Sequence, residues 1–182
     1  MALYLGNKKV AVTNTIEKQV PSMKAFFEAG GKCAQSTATS FEGCWQFDDT
    51  ANVTSMRNMF SNCYSLTSVP LFDTSKVTDM YNMFYNCSKL TTVPQFDTSK
   101  VTDIGNMFFG CSSLEAIHMI NINANLSISS STKFTREALL EIIGNLKTQT
   151  SGTKTLTMGA TNLAKLTDED KAIATNKGWT LA

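Results

Sequence analysis

The chain has 182 residues, 42% of them hydrophobic and 17% charged, with a formal net charge of +1. That is enough for one domain, or a small domain with caps, around a continuous core, and it is not the composition of a disordered segment. Acids and bases are interspersed. There is no basic stripe for nucleic acid, no polybasic segment for anionic lipid and no run of roughly 18 apolar residues for a membrane span, so nucleic-acid binding and membrane insertion are both disfavoured.

The first residues, Met1-Ala-Leu-Tyr-Leu-Gly-Asn-Lys-Lys-Val10, hold no apolar stretch long enough for a signal peptide. Leu3, Leu5, Val10 and Val12 alternate as in a strand pair, with Gly6-Asn7 at the turn. Residues 22–46 read as a degenerate coil, in which Phe41-Glu-Gly-Cys44 echoes Phe60-Ser-Asn-Cys63 and Met23, Phe26 and Phe27 offer a helix face. Residues 1–46 together are expected to form an N-terminal cap.

A repeat organises residues 47–128. Val53, Val77 and Val101 recur every 24 residues, as do Met56, Met80 and Ile104; Met59, Met83 and Met107; and Phe60, Phe84 and Phe108. The same spacing joins Cys63, Cys87 and Cys111; Leu66, Leu90 and Leu114; and Val69, Val93 and Ile117. Within one copy, Met80, Met83, Phe84 and Cys87 stand at i, i+3, i+4 and i+7, which predicts one face of a short helix. Thr78 is its expected N-cap, with Asp79 at the positive helix end, and Asn86 its expected terminator. Leu90-Thr-Thr-Val93 then reads as a strand stopped by Pro94, and Phe-Asp-Thr-Ser-Lys as the return turn. A single copy leaves faces uncovered, so copies are expected to stack and to pair their strands in a parallel sheet. Asn58, Asn82 and Asn106 form a further row, expected to serve as a structural ladder between coils. The cysteine row is expected to pack as buried thiols rather than as disulfides, and the total of five cysteines rules out complete internal pairing.

These residues carry a resemblance. The pattern Val-Thr-x-Met-x-x-Met-Phe-x-x-Cys-x-x-Leu-x-x-Val-Pro, with Phe-Asp-Thr-Ser-Lys between copies, resembles the BspA-like surface leucine-rich repeats over about residues 41 to 118. The segments 163–171 and 176–181 are similar to phage-type members. The resemblance implies an α/β leucine-rich-repeat-like solenoid with short parallel strands and short helices. It also implies a non-enzymatic binding or adhesion module, with no catalytic residues to carry over. Its setting would be a bacterial surface, or a bacteriophage virion or tail, the chain being cytoplasmic before assembly. The start Leu3-Tyr-Leu-Gly-Asn-Lys-Lys-Val10 is similar to starts of phage structural proteins.

Beyond Leu114 the pattern dissolves into an Asn/Ser-rich stretch. Residues 129–182 are expected to form a helix–strand–helix–strand cap. Thr135 opens an amphipathic helix bearing Leu139, Leu140, Ile142, Ile143 and Leu146, and Thr155-Leu-Thr-Met158 is a strand. Thr167-Asp-Glu-Asp170 is a capping box with Asp in the fourth place. Gly178 ends that helix and Trp179-Thr-Leu181 is the last strand.

Chemistry-bearing motifs are sparse. The lone histidine, His118, has no metal-binding companions and the cysteines have no Cys-x-x-Cys spacing, so neither a metal nor a cofactor is expected. The glycines match no phosphate or dinucleotide loop. Asp73, Asp79, Asp97 and Asp103 repeat, but without the dense Gly/Asp alternation of calcium-binding coils, and are read as turn and cap residues. Positions that vary between copies are the better guide to recognition. Arg57, Tyr81 and Gly105 share one slot; Ser61, Tyr85 and Phe109 another; Tyr64, Ser88 and Ser112 a third. Arg57, Tyr64, Tyr81, Tyr85 and Phe109 are therefore the candidate contact residues, because aromatic and Arg side chains dominate binding surfaces. Thr67, Thr91 and Glu115 offer a second face. The expected partner is a protein or glycan on a cell surface, or neighbouring subunits of a virion. The alternative is a structural decoration or spacer subunit of a larger assembly.

Overall fold

The computed structural model describes residues 53–182, together with an antiparallel strand pair, β1 (Ala2–Leu5) and β2 (Lys8–Ala11). Leu5 pairs with Lys8, and the expected turn at Gly6-Asn7 lies outside the described residues. The expected coil over 22–46, with Met23, Phe26, Phe27, Cys33 and Cys44, lies outside the described residues.

The remainder is a small α/β unit with short parallel strands and few helices. Its repeats differ from expectation in two respects: residues 57–62, 81–86 and 105–110 are consecutive turns, not helices, and the expected strand over 90–93 is confined to Thr92–Val93, with none at the matching 66–69. The reason for the turns lies in Asn58, Asn62, Asn82, Asn86 and Asn106, which all take positive φ between 52° and 63°, with Gly110 at 75° in the matching slot. Each is the third residue of a four-residue turn, a place where Asn and Gly tolerate the left-handed conformation. A left-handed residue every fourth position stops helix propagation before it starts.

The hydrogen bonds then alternate. The N–H groups of Met59, Ser61 and Cys63 donate to Met56, Asn58 and Phe60, three residues back. The N–H groups of Met56, Asn58, Phe60 and Asn62 donate instead to Asp79, Tyr81, Met83 and Tyr85 of the next copy, at 2.7–2.9 Å. Met80, Asn82, Phe84 and Asn86 repeat this toward Asp103, Gly105, Met107 and Phe109. The turns of one copy are thus laced to those of the next as strands in a sheet would be. Thr78, expected as a helix cap, instead donates both its N–H and its hydroxyl to the Thr54 carbonyl, and Thr102 does the same to Thr78. Asp79 accepts from the Tyr81 N–H, closing an Asx turn.

The inward slots meet in a shared interior. Phe60, Phe84 and Phe108 stack ring on ring at 5.4 and 5.9 Å with planes within 5° of parallel. Phe72 and Phe96 form an adjoining column, 5.9 Å apart. The Phe-Asp-Thr-Ser-Lys stretch has a specific task in this packing. Asp73 and Asp97 accept from the Ser75 and Ser99 N–H groups, while the buried Thr74 and Thr98 hydroxyls donate to the Asp97 and Ile120 carbonyls one copy along. Strands β3 (Thr92–Val93) and β4 (Ala116–Ile117) pair in parallel beside this core.

The C-terminal part extends the same core. β5 (Leu126–Ser127), β6 (Lys154–Thr157) and β7 (Trp179–Leu181) form a parallel sheet in that order. α1 (Arg136–Gly144) is capped by Thr135, which accepts from the Ala138 N–H, and buries Leu139, Ile142 and Ile143. A four-residue helix, α2 (Ala160–Leu163), was not expected from the pattern; its buried Asn162 donates to the Ser131 and Met158 carbonyls. α3 (Asp168–Asn176) carries the capping box formed by Thr167 and Asp170. Asp170 also takes a bidentate bond from Arg136 at 2.7 and 2.8 Å, which fastens α3 to α1.

Candidate functional site

Consecutive turns point alternate pairs of residues in and out. Met56, Met59, Phe60 and Cys63 are buried, while Arg57, Asn58, Asn62 and Tyr64 are exposed. The next copies repeat that division, so the outward slots line up in rows across the stack.

In the first row the guanidinium of Arg57 lies over the ring of Tyr81, 4.1 Å from its centroid. The same guanidinium reaches the Asp79 carboxylate at 3.2 Å and that of Asp103 at 3.7 Å. Tyr81 in turn covers Gly105: a Cβ at Gly105 would come within 3.0 Å of the Tyr81 ring. The Tyr81 hydroxyl accepts from the Asn106 side chain. In the second row Tyr85 stacks on Phe109 at 5.1 Å with planes 11° apart, and Phe109 remains 54% exposed. The third row runs differently: Ser88 and Ser112 each donate a hydroxyl to the carbonyl of the preceding copy. Tyr64 there stands exposed and donates its hydroxyl to Asn62. Of the five candidate contact residues, the structure therefore joins Arg57 to Tyr81 and Tyr85 to Phe109, and sets Tyr64 apart. On the second face, Thr91 and Glu115 are bonded in register to the preceding copy, Thr91 through both N–H and hydroxyl to Thr67.

In the Asn58, Asn82 and Asn106 row, Asn58 and Asn82 connect copies through their backbone N–H groups and Asn106 through its side chain to Tyr81, and the shared property is the left-handed turn. A side-chain bond between copies lies one slot over, where Asn86 donates to Asn62 at 3.1 Å. Cys63, Cys87 and Cys111 are buried thiols, not disulfides. Cys87 and Cys111 donate to the Phe60 and Phe84 carbonyls at 3.1 and 3.0 Å. Burial pushes the Cys87 thiol well above its ordinary value and that of Cys111 up to about 12, which makes both poor nucleophiles. His118 bonds to Glu141 at 2.7 Å. Among the described residues no group of three or more His, Cys, Asp or Glu is arranged to hold a metal ion, and no helix is long and apolar enough to cross a membrane.

Where the last regular copy meets the cap, the first row ends in a cleft of about 400 Å³. Its lining includes Asp103, Gly105, Asn123, Asn125, Thr153 and Lys154. Asn123 and Asn125 spend their carboxamide oxygens on Gln149 and the Thr155 N–H. Sequence reading missed this cleft because it draws on three separate segments. The one available signal was the period: a slot at 57 must stand beside slots 79 and 81 once copies stack.

The family model described as a Mycoplasma protein of unknown function, DUF285, matches residues 22–137. The chain belongs to this family. The match covers the whole DUF285-type repeat array described above, Arg57–Tyr81 and Tyr85–Phe109 rows included, and stops at the first turn of α1. It places the chain in a repeat family related to the surface repeats that the sequence resembles. Lys154 and Thr153, on the cap side of the cleft, lie beyond it. No curated protein and no solved structure gives a significant match.

Proposed function

We propose that this chain is a non-enzymatic recognition module, a leucine-rich-repeat-like solenoid of BspA-like type, that holds a protein or glycan partner against its outward rows. Its setting in this reading is a bacterial surface or a phage virion or tail. The observation that carries the reading is the contrast between slots. Inward positions repeat like apolar residues across the three regular copies and are buried but for the half-buried Val53 and Val69, whereas outward positions change and gather Arg57, Tyr81, Tyr85 and Phe109 into two packed rows. Stacked aromatic and guanidinium groups present large area at low entropy cost, which suits them to contact.

Binding of the labelled chain to intact bacterial cells, before and after protease or glycosidase treatment, tests the proposal. Saturable binding that falls at least tenfold in the Tyr85→Ala/Phe109→Ala or Arg57→Ala/Tyr81→Ala variants supports it. Failure on every cell type, or binding indifferent to both variants, overturns it. A stable ring or trimer by light scattering, together with no cell binding, would favour the decoration or spacer role instead.

A further inference from the structure

The cleft at the end of the first row has an unusual inventory. Lys154 Nζ, the Thr153 hydroxyl and the carboxamide nitrogens of Asn123 and Asn125 have no protein partner among the described residues. All four can donate, and one is cationic. The lining also holds an acceptor, Asp103, whose charge is balanced by Arg57 at 3.7 Å and whose other oxygen takes the Gly105 N–H. Beside it, Gly105 is the small residue of its slot, and the Tyr81 ring extends over the place where a side chain would stand. The cleft lining therefore combines donors for a carboxylate with one carboxylate acceptor for hydroxyl groups. Its volume lies at the small end of the range for ligand sites, roughly 300–1,000 Å³.

From this combination we infer that the cleft is a subsite for a negatively charged sugar residue. The sugar's carboxylate meets Lys154 and the Asn125 amide, and its ring hydroxyls donate to Asp103. An acidic peptide side chain would use the donors but would leave the Asp103 acceptor idle. An apolar ligand would shield these donors from water without giving them partners. This inference rests on the recognition reading above, and narrows its partner to a glycan.

Calorimetric titration with 3′-sialyllactose, with oligogalacturonate and with their neutral counterpart lactose tests it. At least one acidic saccharide is expected to bind tenfold or more tightly than lactose, with affinity weakening as salt rises. Lys154→Ala and Thr153→Ala, each checked by thermal melting, are expected to lower that affinity at least tenfold and about threefold. Leu71→Ala, at an exposed position outside the cleft and outside both outward rows, changes it by less than twofold. Equal binding of lactose, no binding of any saccharide, or full affinity in a folded Lys154→Ala variant overturns the subsite. Cell binding that survives glycosidase but is lost after protease would sink this inference while leaving the recognition module standing. Absence of any cell binding would sink the recognition module itself.

Discussion

Arg57 and Tyr81 are 24 residues apart in the chain and one copy apart in the stack, with the guanidinium 4.1 Å from the ring centroid. Because Arg57 also meets Asp79 at 3.2 Å, its charge is held in place from two sides. An exposed cation–π contact contributes about 0.5–1 kcal/mol. Arg57→Ala and Tyr81→Ala are each expected to destabilise by about that amount, with a double-mutant coupling of roughly 0.5 kcal/mol. Urea unfolding of the four proteins of the cycle measures it, and strict additivity would refute the contact.

The two aromatic pairings of the repeats should respond in opposite ways. Phe84 is fully buried between Phe60 and Phe108, so Phe84→Ala is expected to cost about 3–5 kcal/mol. Phe109 stacks on Tyr85 at the surface, so Phe109→Ala should cost less than about 1 kcal/mol. Denaturant midpoints separate the two, and a large cost at Phe109 would place that ring in the core instead.

Gly110 fills the slot held by Asn62 and Asn86 in the other copies, at φ +75°. A Cβ there would collide with the Asn86 side chain. Gly110→Ala is expected to lose roughly 1–2 kcal/mol to the left-handed conformation, and more to the collision. Asn62→Gly, which keeps the conformation, should cost less. Paired thermal melts of the two variants test the order.

The Arg136 side chain, and then the Thr167 backbone N–H, hold the Asp170 carboxyl below the usual carboxylate range. A depressed folded-state pKa contributes stability that is present above the unfolded value of about 3.9 and vanishes as pH falls through the folded value. Wild type is therefore expected to melt higher than Asp170→Asn at pH 7, with the gap narrowing below about pH 4. A gap that stays constant down to pH 2 would contradict the linkage.

Much of this arrangement was legible before any coordinates. The period of 24 identified the inward slots, and Thr135, Thr167 with Asp170, and Gly178 marked the ends of the cap helices. The error at Met80, Met83, Phe84 and Cys87 is instructive. The spacing i, i+3, i+4, i+7 belongs to a helix, but also to successive four-residue turns, because both bring every third or fourth residue to one side. Asn82 and Asn86, four apart and repeated in each copy, were the discriminating residues, since left-handed backbone at that interval is incompatible with helix. The cleft was illegible for another reason. Asp103, Asn125 and Lys154 share no motif, and only the junction between the repeats and the cap brings them together.

The lacing of the turns sets a rule for how such a chain can grow. Every second N–H in a turn finds its acceptor in the adjoining copy at a constant sequence offset. Duplicating or removing one whole 24-residue unit therefore hands each donor an equivalent acceptor and leaves the C-terminal cap seated as before. An insertion of any other length within the turns would break the register of every later donor at once. Lineages carrying this architecture are thus free to lengthen or shorten the array in whole units and to redecorate its outer rows, while drift in spacing is barred.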